Sequence, residues 1–162
     1  MKCWLVLALA VLFSGCSSVV LPFQAPTPRP TLSAIDVYLS ETDDHMESMF
    51  VYNNDLTDQL NAEQKDATLL TNSQWRASIT KSLKGLDMEY QALQQLPPIA
   101  GTEQYSAAVL AAEAHTDNAA QLLLAWLDDH DKTKYQQALQ ELDAAKAGRD
   151  SEQPILDSLL KK

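Results

Sequence analysis

From residue 32 onward apolar residues recur at steps of three and four: Leu32, Ile35, Leu39, Met46, Met49, Leu56 and Leu60, with Thr42 and Asn53 in the missing places. Residues so spaced share one face of an α-helix, so the pattern predicts a long amphipathic helix. Carried on to Leu70 it would extend about 58 Å at 1.5 Å per residue, long enough that a break at Asn53-Asn54-Asp55 is expected. Thr71-Asn72-Ser73 ends it, with Ser73 as the expected N-cap of the next helix. A second stripe, out of phase with the first, runs through Trp75, Ile79, Leu83, Leu86, Tyr90, Leu93 and Leu96 and stops at Pro97-Pro98. Gly85 inside it costs about 1 kcal/mol relative to alanine, which points to a close helix contact or a bend. Thr102 is placed to cap a third helix carrying Tyr105, Ala108, Ala112, Ala119, Leu122, Leu123 and Trp126. A fourth, with Tyr135, Ala138, Leu139, Leu142 and Ala145, is expected to end near Gly148, leaving the tail for a short amphipathic turn. No stretch alternates with period two over a strand's length. The expected fold is all-α, an antiparallel three- or four-helix bundle over residues 32–162.

The chain before the bundle reads differently. Pro22, Pro26, Pro28 and Pro30 block helix and sheet hydrogen bonding and favour an extended tether, about 45 Å for some 15 residues at 3.1 Å each. Ahead of it, Lys2, an apolar run over residues 3–13 and then small residues follow the order of a secretory signal peptide. A membrane helix needs about 20 apolar residues, so this run alone is too short to span. An uncleaved anchor would require Val19, Val20, Leu21 and Phe23 to join it. Phe13-Ser14-Gly15-Cys16 resembles the lipobox of bacterial lipoprotein precursors, over the first 16 residues only and with Phe13 where that family most often has leucine. The resemblance implies that residues 1–15 are a lipoprotein signal peptide, that Cys16 becomes the acylated (palmitate-bearing) N-terminus, and that residues 16–31 tether the domain to a membrane. Ordinary signal cleavage with Gly15 and Ser17 as the small pair is the competing reading. Two or three acyl chains bury enough methylenes for stable anchoring. Ser17, where lipoproteins kept at an inner membrane often have aspartate, favours an outer membrane if there are two.

Removing residues 1–15 leaves 147 residues, one domain's worth, and takes away Lys2 and no acidic group, so the net charge passes from −10 to −11. Such a surface repels nucleic acid and anionic lipid headgroups. The two cysteines are Cys3 and Cys16, so the bundle must be held by packing rather than by disulfides. There is no nucleophile elbow, phosphate-binding glycine loop or paired-histidine zinc motif, and neither an enzyme nor a cofactor is expected. Two Asp-Asp-His clusters make Glu41, His45, Asp129 and His130 candidate metal ligands, because bundles hold metals through carboxylates and histidines on facing helices. Glu41 and His45 are four apart and can share a face, whereas Glu113 and His115, two apart, cannot. The bland alternative is solvated charge at helix ends. His115, on or beside the third stripe, reads as a core or border residue. The stretch "WLDDHDK" is similar to one in small ferritin-like exported proteins, and no residue role follows from it. Trp75 and Trp126 read as core, or as a ligand or partner site if the bundle leaves a groove.

The expected function is therefore an extracytoplasmic lipoprotein, lipid-anchored to the cell membrane or outer membrane. Its bundle would be a non-enzymatic module that binds another envelope protein. A ferritin-like carrier of a metal or small ligand is the alternative. Convergence of the histidines and carboxylates would favour the carrier, an exposed apolar patch the module.

Overall fold

Ser33 starts the bundle. Its hydroxyl accepts the Asp36 N–H at 3.1 Å while the Asp36 carboxylate accepts the Ser33 N–H at 3.0 Å, so two otherwise unpaired donors are satisfied reciprocally. The computed structural model describes residues 33–161, so Cys16 and the expected signal and tether lie outside it. It contains α1 (Ala34–Lys65), α2 (Ser73–Gln95), α3 (Glu103–Asp129) and α4 (Lys132–Leu160), and no strand among the described residues. The fold is an all-α bundle of four helices. None of them is long and apolar enough to cross a membrane.

Three boundaries, and the role of one cap side chain, differ from the sequence reading. Helix α1 does not break at Asn53: Met49 and Leu56 are buried on either side, and that packing carries the helix through. It ends at Lys65 instead of reaching Leu70, which sits in a separate 3-10 turn (Ala67–Thr71) whose Thr68 N–H is accepted by the Asp66 carboxylate. The cap of α2 is Asn72, not Ser73; its side-chain oxygen accepts the Gln74 and Trp75 N–H groups, both at 3.0 Å. Thr102 does precede α3, but its buried hydroxyl turns back to the Ile99 backbone rather than capping the helix.

The largest correction is at Gly148. Helix α4 passes through it and continues for three more turns, with Pro154 inside, so the expected separate tail is the end of α4. The glycine is there for contact: a Cβ on it would lie 2.7 Å from the Ala112 Cβ and 3.0 Å from its Cα. Ala112 and Ala119 on α3 are buried where Ala138 and Ala145 on α4 are buried, each pair seven residues apart, so α3 and α4 approach along small side chains. Leu139, expected in the stripe, is exposed instead. Helices α1 and α2 also pack directly, and Gly85 lies under the Tyr52 ring. Helices α2 and α3 complete the sequence of antiparallel neighbours. Helices α1 and α4 do not close on each other.

Candidate functional site

The expected metal ligands do not come together. His45 Nδ1 is 2.7 Å from the Glu89 carboxylate across the α1/α2 contact, and Glu41 is exposed nearby on α1. His130 is at the other end of the bundle beside Glu63, 18 residues further along α1 than His45, or about 27 Å away. The Asp128–Asp131 cluster serves the chain reversal between α3 and α4. His130 takes a left-handed conformation (φ 56°) and closes α3, and Asp131 caps α4 by accepting the Thr133 N–H at 2.8 Å. Asp129 pairs with Lys134 at the surface. His115, read from sequence as a border residue, is half exposed and 2.6 Å from Glu141. Among the described residues no three His, Cys, Asp or Glu side chains gather as a metal site would require.

What the fold does create is the open α1/α4 seam. Three cavities lie along it. At one end Leu39, Ser40, Asp43, Tyr105, Leu156 and Leu160 enclose about 360 Å³. In the middle Asp43, Met46, Glu47, Phe50, Glu113 and Arg149 enclose about 260 Å³. At the far end Trp126 and Tyr135 stand with Glu63, His130 and Lys132 around about 340 Å³, their rings 4.9 Å apart between centroids. On α4 the lining residues Tyr135, Arg149 and Leu156 share one heptad-spaced line, while α3 lies at the floor with Tyr105, Glu113 and Trp126. Phe50 projects at the rim with 63% of its surface exposed, and its neighbour Val51 is 53% exposed.

The middle of this seam is built on buried charge. Glu113, only 1% exposed, receives both arms of Arg149: Nε donates to Oε1 at 2.6 Å and Nη2 to Oε2 at 2.7 Å, and Nη2 also donates to the Thr116 hydroxyl at 2.8 Å. That fork holds the guanidinium's proton still more firmly than usual. One turn on, Glu152 is buried with an oxygen that has no partner, and burial together with the Glu113 charge pushes its carboxyl above the ordinary range. Tyr105 is pushed up to about 12, first by burial and then by Glu152 and Asp43. The arrangement positions a fixed polar floor between a largely apolar end and one that mixes aromatic with charged side chains; it contains no nucleophile paired with a base.

Of the two expected tryptophans, Trp126 is buried at the far end of the seam, and Trp75 is half-buried against the core away from it. The residues missed from sequence are Phe50, Tyr105 as a site residue, Glu113, Arg149 and Glu152. Glu113 carried a signal, since it falls between Val109 and Thr116 on the buried stripe of α3, a helix with no lysine or arginine of its own. Its partner is 36 residues away, beyond the Gly148 stop that the sequence pattern predicts. A wider recess of about 660 Å³ lies on the flank of α2, by Tyr52, Arg76, Lys81, Lys84 and Met88.

No protein-family model matches the chain, and neither a curated protein nor a solved structure matches it significantly.

Proposed function

We propose that the chain is a membrane-anchored extracytoplasmic lipoprotein whose bundle is a non-enzymatic protein-binding or assembly module of the cell envelope. The anchor rests on Cys16 and the segment before it. The observation that supports a binding module is the open α1/α4 seam, where a four-helix bundle leaves one side unclosed and places an exposed phenylalanine on its rim. Grooves between helices are common seats for a partner's helix. The small-ligand form of the carrier reading keeps one supporting observation, the Trp126/Tyr135 cleft at the seam's far end.

Intact-mass analysis and a mild-detergent pull-down from native membranes, run beside Cys16→Ala, test this. The expected result is a lipid-sized mass increase lost in the variant, together with a stoichiometric envelope partner. An unlipidated mass removes the anchor; a lipidated protein recovered alone turns the reading toward a small ligand.

A further inference from the structure

We propose that the α1/α4 groove docks a cationic amphipathic helix of another protein, an assignment that rests on the protein-binding reading above. The groove runs from Leu39 to Glu63 on α1, about 36 Å, which matches a helix of some six or seven turns. Leu39, Leu156 and Leu160 line one end, and Trp126 and Tyr135 stand beside charged side chains at the other, so the partner must offer an apolar stripe to meet them. Its α1 rim is acidic: Asp43 and Glu47 line the middle cavity beside Phe50, and Glu63 lies at the far end. On the opposite rim Arg149 is already taken by Glu113, leaving Asp43 and Glu47 without a cation from α4. Lysine or arginine beside the partner's apolar stripe supplies that charge, with the rim contacts acting mainly on association and orientation. A second copy of this chain brings a net charge of −10, and an anionic lipid surface is repelled in the same way.

The full chain in mild detergent is titrated with a fluorescent helical peptide of about 20 residues, leucine on one face and lysine on both flanks, and with its glutamate-flanked counterpart. Binding of the lysine peptide alone is expected. It is weakened about tenfold by Phe50→Ala and at least as much by Asp43→Lys with Glu47→Lys. The exposed pair Asp55→Lys and Asp58→Lys changes the net charge equally off the groove and weakens binding less than threefold. Equal losses from the two charge reversals would mean general attraction to an acidic surface and overturn the proposal, as would no binding or equal binding of both peptides. Circular dichroism melting shows whether each variant keeps the bundle.

In native membranes a photo-crosslinking residue is placed at Phe50 or, on the α2 flank, at Met88. A crosslink from Phe50 to a lysine- or arginine-flanked helical segment supports the groove. One from Phe50 to a second copy or to lipid, or one from Met88 only, overturns the groove and leaves the module reading standing. Capture from neither position overturns both.

Discussion

The seams that α4 makes with α3 and with α1 share a helix and differ in what lines them. Against α3 it presents Ala138, Ala145 and Gly148 to Ala112 and Ala119, and the backbones meet. Against α1 it presents Tyr135, Arg149 and Leu156 to Leu39, Met46 and Phe50, and the helices stay apart. A helix drawn tightly to one neighbour by small residues cannot close equally on another whose facing side chains are large or charged, because interhelical distance follows the residues at the contact. The opening is thus a consequence of close packing elsewhere.

Arg149 stands where the two seams meet, and its removal gives the largest effect. Arg149→Ala leaves the buried Glu113 carboxylate without its partner and is expected to lower stability by about 3 kcal/mol in urea unfolding at neutral pH. Glu113→Gln in the same background should recover part of that loss, since the stranded charge is then gone.

Next in size are the two close-contact glycines, which should respond differently. Gly148→Ala forces a Cβ against the Ala112 backbone, which can yield only if α3 and α4 separate; a loss of about 1–3 kcal/mol is expected. At Gly85 the added Cβ would meet the far edge of the half-buried Tyr52 ring at 2.6 Å, and that ring can swing outward. The gain of about 1 kcal/mol in helix propensity then offsets the contact, so Gly85→Ala should leave the melting temperature nearly unchanged. Equal losses at both positions would show that α1/α2 is as rigid a contact as α3/α4.

A smaller, pH-dependent effect comes from Glu152. Burial and the neighbouring Glu113 charge raise its carboxyl, so the folded chain holds a proton that the unfolded chain releases. Stability should therefore rise as pH falls from neutral toward the ordinary glutamate range, and be lost again as pH rises through the folded value. Glu152→Gln should raise the melting temperature at pH 7 by a few degrees, about 1 kcal/mol, and flatten this rise. Acidification also relieves the net negative charge, so the difference between the two chains is the quantity to measure. Smallest of all, Phe50→Ser should change stability by less than about 0.5 kcal/mol, since the side chain is mostly in water. A larger loss would mean that Phe50 closes the groove.

Period alone carried much of the fold. Ile79, Leu83, Leu86 and Leu93, spaced on one face, are buried on α2, and Thr42 fills its place in the α1 stripe as its spacing predicted. Capping was less legible, because Asn72, Ser73 and Thr102 are all capable caps and only the path of the chain selects among them. Gly148 shows the limit clearly: a glycine after an alanine-rich helix is a normal stop signal. Its meaning reversed once Ala112 was found against it. The same misplaced stop hid the groove, since it cut Glu152, Leu156 and Leu160 away from α4.

The pattern of hydrophobic residues by itself determined an all-α bundle of three or four amphipathic helices with short connections, and composition an acidic surface, because these follow from local periodicity and residue counts. The tertiary structure decided which seam stayed open, which carboxylate was buried and who neutralised it, and where Phe50 was left exposed. Those depend on distances between residues far apart in sequence, such as Glu113 and Arg149, and only packing sets them.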